Sequence, residues 1–281
     1  MNSAGRAAGG VVGRSVLLLN VAVLCVLPYV VLVWLSCGSG WEWPRLVPLR
    51  VDGVAWQRAF SGSNGRAALQ GAGLSLAVAA CSTVWGLLIS RCWSETGSGR
   101  VRGLLYLPLL TSPAIAAGCL FDLMARIHVA GSWLGVFLVQ SVYGTSFAAV
   151  LFAGVREPGS WRREQLVRTL GGGDVAVWRH VVLPDSRGLL PLCLFQTALM
   201  SWLDYGLTTV VGGGRVQTLT MRLFSQIREG GVSQAAASSL LLTVPALVAL
   251  LLLRWRDGWA VMTTGGPGLM GGLQRGRERK P

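Results

Sequence analysis

The sequence predicts an all-α, polytopic membrane fold: six transmembrane helices, N-terminus and C-terminus both inside, and a polar helical hairpin between the fourth and fifth helices. Three observations carry this. Of 281 residues, 52% are hydrophobic and only 13% charged, with a mean hydropathy of +0.53. The apolar residues are gathered into six runs, nearly all free of charge. The 25 Lys and Arg residues fall mostly between the runs, with 2, 3, 6 and 6 on one side against 4, 1 and 3 on the other, or 17 to 8. Because Lys and Arg are retained on the cytoplasmic side, that imbalance sets the orientation.

Residues 1–14 form a short cytoplasmic tail carrying Arg6 and Arg14, and the six-helix membrane domain is expected over 15–254. The first run, Ser15 to Ser36, has the length of a bilayer span and reads as an uncleaved helix. Residues 37 to 67 are rich in Trp, Pro and Gly and form an outer loop, with the Gly-Ser-Asn-Gly cluster at 62–65 marking a turn. Ala68 to Ser90 is the second run, followed by a basic loop with Arg91, Arg100 and Arg102. Gly103 to Phe121 is the third, interrupted by Pro108 and Pro113, and a short loop then holds Asp122, Arg126 and His128. Trp133 to Gly154 is the fourth. The fifth, Gly188 to Val211, contains one carboxylate, Asp204, and ends at Gly212-Gly213-Gly214. Leu219, Leu223, Phe224 and Ile227 have the spacing of a short amphipathic helix in the next outer loop. Ala235 to Leu253 is the sixth run, and 255–281 is a basic cytoplasmic tail expected to be disordered.

The polar stretch from 157 to 185 divides into two short amphipathic helices. Ser160 can cap the first, Leu166, Val167 and Leu170 gather on one side of it, and Gly171-Gly172-Gly173 stops it. Asp174 can cap the second, Val175, Trp178, Val181 and Val182 recur at helical spacing, and Pro184 closes it. Two readings stand side by side. The stretch is either a solvated basic loop that satisfies topology or a docking surface for a soluble partner.

Several chemistries have no support. The formal net charge of +13 is distributed as topology requires, with no aromatic-interleaved basic stripe, so nucleic acid is not expected as a partner and membrane lipid is. No G-x-x-x-x-G-K-[ST] or G-x-S-x-G sequence occurs. The six cysteines lie in or beside apolar runs without C-x-x-C spacing, and His128 and His180 are far apart, so no metal or cofactor is expected. The chain is therefore expected not to be an enzyme. Asp204 is the one carboxylate in a predicted span. It is either satisfied locally, by Arg215 or an interfacial water, or it lines a pathway with Tyr205 and Thr208. Gln140 and Tyr143 in the fourth run read as interhelical hydrogen-bonding groups.

Arg168-Thr169-Leu170-Gly171, a spacer holding Trp178, and then Val182-Leu183-Pro184 resemble the cytoplasmic loop of the permease subunits of binding-protein-dependent ABC importers. That family's motif runs Glu-Ala-Ala, three residues, Gly, about nine residues, Ile-x-Leu-Pro. Aligned on Gly171, Gln165, Leu166 and Val167 stand where Glu-Ala-Ala is expected, with Glu164 one place early. Ser201-Trp202-Leu203-Asp204-Tyr205-Gly206-Leu207-Thr208 is similar to a stretch found in the polyamine, ferric-iron, thiamine and sulfate-type group, and the resemblance extends from about residue 70 to 254.

The resemblance implies a type I fold in a bacterial inner membrane. The chain would form half of a solute pathway, pairing with itself or a paralogue, with two cytoplasmic ATPase subunits that use the ATP and with an extracytoplasmic solute-binding protein. It implies a coupling role for Glu164, Gln165, Leu166, Arg168, Leu170, Gly171, Trp178, Leu183 and Pro184, with Leu166, Leu170 and Trp178 as apolar anchors. The outer loops at 37–67 and 212–234 would meet the binding protein. A lone Asp204 is compatible with a cationic solute such as a polyamine or thiamine, although the binding protein is expected to set selectivity. The rival readings are an ion-gradient-driven carrier or channel, which would need more intramembrane charge than Asp204, and a non-transport membrane scaffold.

Overall fold

The computed structural model describes the backbone of residues 3–41, 47–96, 99–155 and 160–263, and the side chains of most of 20–248. α1 (Ser3–Ser36) leads into a small antiparallel ribbon in which β1 (Gly38–Ser39) pairs with β2 (Arg50–Val51), Gly38 opposite Val51. Then follow α2 (Val54–Phe60), α3 (Gly62–Thr96), α4 (Gly99–Leu110), α5 (Pro113–Arg126) and α6 (Trp133–Val155). The polar stretch contributes α7 (Ser160–Thr169), α8 (Asp174–Val177), one π turn (Trp178–Val182) and α9 (Leu183–Ser186). α10 (Leu190–Trp202), α11 (Gly206–Gly212), α12 (Leu219–Arg228) and α13 (Val232–Thr263) complete the chain.

By length and apolarity two described helices can each cross a membrane, Gly62–Arg91 within α3 and Trp133–Gly154, which is nearly all of α6. The pair Gly103–Leu110 and Pro113–Arg126 gives a third if counted as one span, although the two halves meet at 106°. Asn20–Ser36, Leu190–Trp202 and Val232–Val248 are shorter apolar helices.

Two runs expected to be single elements are thus broken, each for a local reason. Pro113 has no amide hydrogen and disfavours the helical conformation in the residue before it. Ser112 accordingly has ψ 129°, and Pro113 starts a new helix instead of continuing the old one. The fifth run breaks at 203–205, where Asp204 accepts from the first amides of α11.

The 62–65 cluster is not the expected turn. Gly62 alone takes the left-handed conformation (φ 61°), and α3 already runs from there, because a Gly-Ser-Asn sequence serves a helix start as well as a loop. Asp122 and Arg126 also lie within a helix, α5, as an exposed i,i+4 ion pair at 2.8 Å rather than in a loop. Gly213 and Gly214 (φ 53° and 76°) do end α11 as their sequence suggests. The expected disorder after Arg254 is overturned in part, since α13 stays helical to Thr263, and 264–281 lie outside the described residues.

The core of the first compact unit, residues 1–242, is built along α3. Leu74 and Val78 of α3 meet Ala117 and Met124 of α5, Val136, Val139 and Tyr143 of α6, and Leu207 and Val211 of α11. Nearer the other end of α3, Leu87 meets Ala148 and Phe152 of α6, Cys193 of α10, and Val177 and Val182 of the polar stretch. α3 and α6 approach so closely that a Cβ at Gly86 would overlap Ala148 and one at Gly144 would overlap Ser82. Apolar side chains give membrane helices no hydrophobic reason to pair, so such small-residue contact is what holds them together. The second unit, 243–281, is described only as the continuation of α13.

Candidate functional site

Two places in the fold gather the residues singled out above. The first is the polar stretch, which folds as the expected hairpin. α7 ends at Thr169, and Gly171 turns the chain at φ 82°, a conformation that costs glycine nothing and a residue with a Cβ about 1–2 kcal/mol. Asp174 does not cap the second helix as expected. It is the first helical residue, with Gly173 at the cap, and its carboxylate accepts from Arg168 across the turn at 2.8 Å. Nor does Pro184 close that helix, since α8, the π turn and α9 run on to Ser186. The amide that Pro184 lacks is accommodated by widening the preceding turn, where the Leu183 amide reaches back five residues to the Trp178 carbonyl.

The hairpin is two-faced. Val167, Val177, Val181, Val182 and Trp178 turn toward the rest of the chain, and Val177 is fully buried. Leu166 (60% exposed), Leu170 (79%), Val175 (81%) and Leu183 (51%) stand outward among Gln165, Arg168, Gly171 and Pro184, all exposed. The three expected apolar anchors are therefore separated. Leu166 and Leu170 face out, whereas Trp178 packs inward beneath the guanidinium of Arg91, which lies 5.1 Å from the ring centre. Glu164 is also turned inward, buried, and paired with Arg91 at 3.6 Å. In the sequence Arg91 reads as a topological charge alone. Its position at the first charge after a long apolar run was the available signal.

The second place is the break between α10 and α11. Asp204 Oδ2 accepts from the Thr208 amide at 2.9 Å, the Thr208 hydroxyl at 2.8 Å and Gln140 Nε2 at 3.1 Å. Its Oδ1 takes a longer bond, 3.4 Å, from the Leu207 amide. Gln140 Nε2 also reaches Thr208 Oγ1 at 3.0 Å, and Gln140 Oε1 accepts from the Ser201 hydroxyl at 2.6 Å. Gln140, Ser201 and Thr208 are buried. Sequence spacing explains the arrangement, because Ser201 sits in the last turn of α10, Asp204 at the break and Thr208 in the first turn of α11, with Gln140 of α6 tying all three. Asp204 is thus satisfied by protein groups, Gln140, Thr208 and the Leu207 amide, and not by Arg215. Ser201 joins the site unforeseen, its place three residues before Asp204 in the same stretch being the available signal. Tyr205 departs from the group: its ring packs against Phe224 of α12, tilted by 32° with 4.0 Å between centroids.

A cavity of about 150 Å³ opens beside this network, lined by Gln140, Tyr143, Ser201 and Asp204 together with Val78, Pro113 and Met200. Among the described residues no group of three His, Cys, Asp or Glu side chains converges as metal ligands would.

No protein-family profile matches the chain. It is 30% identical over 164 residues to sulfate permease 2, chloroplastic, of Chlamydomonas reinhardtii, a match covering 52% of this chain and 44% of that protein. It is 24% identical over 189 residues to the sulfate transport system permease protein CysW of Synechocystis sp., covering 61% and 68% respectively. The chain thus spans less than half the length of the first of these relatives. Among solved structures, a bacterial ABC transporter involved in import of the acidic polysaccharide alginate has a chain that superposes with a TM-score of 0.58 over 90% of this chain and 98% of its own, at 16% identity. In sequence this membrane chain is thus similar to sulfate permeases, and in fold to a chain of a bacterial ABC transporter involved in import.

Proposed function

We propose that the chain is a permease subunit of an ABC importer, forming half of a solute pathway and coupling to a separate cytoplasmic ATPase. In this reading six spans place both ends and the hairpin in the cytoplasm of a bacterial cell, and ATP binding by two ATPase subunits clamps the hairpins of two permease subunits together. A solute-binding protein delivers solute at the outer face, near the loops at 37–67 and 212–234. The chain itself binds no cofactor and breaks no bond.

The observation that carries this reading is the two-faced hairpin. Leu170 and Val175 are about four-fifths exposed at the tip of a segment too polar to enter lipid, while the opposite face is packed against α3, α6 and α10. An apolar tip on a rigid base is what a groove in a soluble partner would grip, and the flanking Arg162, Arg163 and Arg179 would orient the approach. The rival of an ion-driven carrier loses support from the second site, since Asp204 is engaged by protein groups rather than poised for a proton or ion. The same engagement removes the reason for favouring a cationic solute. With sulfate permeases among the relatives, we propose a sulfate-class oxyanion as the solute, and uptake of radiolabelled sulfate by cells expressing the complete system checks it.

Two outcomes test the assignment. Coexpressed with the products of neighbouring genes, the tagged chain should copurify with an ATPase, and its failure to do so would remove the importer reading. Gly171→Leu should leave membrane insertion intact while reducing ATPase association at least about tenfold, because a left-handed turn is forced on a side chain that resists it by about 1–2 kcal/mol and the tip is displaced. Wild-type association in that variant would take the hairpin out of its role.

A further inference from the structure

Among the described elements packed beneath the hairpin, α3 has no direct chain connection to it. α10 follows α9 within four residues and α6 precedes α7, so both can follow the hairpin through the backbone. α3 is joined to it by side chains, and Arg91 is central to that joint. The Arg91–Glu164 pair has side chains only 10% and 9% exposed, unlike the Arg163–Asp185 and Arg168–Asp174 pairs, which lie at the surface where water screens them. Glu164 belongs to the first arm of the hairpin and Trp178 to the second, so one guanidinium touches both arms. Leu87, one turn earlier in α3, packs in the same cluster as Val177 and Val182.

From this joint α3 runs unbroken back to Gly62, a rod of roughly 45 Å at 1.5 Å per residue. At its far end Asn64 Oδ1 accepts from Gln226 of α12 at 3.4 Å, and the Trp202 ring lies over Gly71. A displacement of the hairpin that Arg91 transmits would therefore be delivered to the opposite end of the molecule, where α3 meets α10 and α12.

We propose that Arg91 is a positioning residue that locks the two arms of the hairpin to α3 and transmits their movement along that helix. The inference rests on the reading of the hairpin as an ATPase dock. Its test uses the full chain with its ATPase in lipid nanodiscs, its six native cysteines replaced by Ser and a reporter thiol introduced by Ser63→Cys at the exposed far end of α3. The rate of reaction with a membrane-impermeant maleimide is measured without nucleotide and with ATP plus vanadate.

With Arg91 present the rate should change at least about fivefold, the lower end of ordinary coupling between sites. Arg91→Gln should abolish that change while the ATPase still copurifies, since Leu166, Leu170 and Val175 are untouched. Arg91→Lys should restore most of it, because an ammonium can still pair with Glu164 and sit over Trp178; a role in mere packing would not follow charge in this way. The proposal is overturned if the rate at position 63 ignores nucleotide with Arg91 in place, if Arg91→Gln responds like the parent, or if Arg91→Gln loses the ATPase, which would make Arg91 part of the docking surface itself. Absence of an ATPase with the parent chain counts instead against the docking reading.

Discussion

Asp204→Ala is expected to destabilise the chain by about 3 kcal/mol, because it strips the acceptor from the Thr208 hydroxyl and amide and one of the two acceptors from Gln140 Nε2. The Thr208 hydroxyl and Gln140 amide are buried, and the first amides of α11 lose the carboxylate that ends their exposure. Hydrogen bonds between membrane helices are individually worth less than a kilocalorie on average, but here one carboxylate holds four, one from α6 and three from α11. Asp204→Asn with its oxygen in the Oδ2 place keeps the acceptor for Thr208 and Gln140 and sets its NH2 group against the Leu207 amide, the longest of the four bonds, so its cost should be about half. The measurement is thermal unfolding of the full chain in detergent. A further comparison separates structure from transport: if Asp204→Asn folds like the parent yet transports nothing, the carboxylate acts on solute and its role is not that of a tie between α6 and α11.

Gly86→Val should be more damaging still. The new Cβ would overlap the Ala148 methyl group and lie 2.8 Å from the Ala149 nitrogen and 2.9 Å from the Ala148 carbonyl carbon. Backbone atoms in the middle of a helix cannot step aside, so α3 and α6 must separate along the interface that organises both core clusters. A cost of about 3 kcal/mol or more follows, and little monodisperse protein should survive size-exclusion chromatography. Gly73→Ala in the same helix is the control. That glycine is exposed with nothing within 4 Å of its missing Cβ, and Ala should raise stability by about 0.5–1 kcal/mol through helix propensity. Equal loss in both variants would mean that α3 tolerates no change, rather than that Gly86 marks a contact.

The elements that sequence made legible are those governed by local rules. Six apolar runs, the hairpin, its Gly171 turn, the stop at Gly213 and Gly214 and the amphipathic α12 all follow from periodicity, chirality and the absence of a side chain. What sequence missed were competitions between local signals. Pro113 reads equally as a tolerated kink or a helix start, and the 106° bend shows the second. Asp174 reads as a cap until Arg168 comes round the turn to claim its carboxylate. Pro184 reads as a stop until the wider turn before it absorbs the missing bond.

By itself, then, sequence determined a helical membrane chain with a polar helical hairpin, because hydropathy and glycine geometry act over a few residues and leave a mark at each position. Tertiary structure alone decided which way the important side chains face. At helical spacing Leu166, Leu170 and Trp178 are equivalent apolar residues, yet only the first two face outward, since Trp178 is drawn beneath Arg91, 87 positions earlier in the chain. Asp204 likewise became a tie between helices only when α6 brought Gln140 within 3.1 Å. Charge pairing and hydrogen bonding across such separations depend on how helices pack, and no spacing within one segment encodes that.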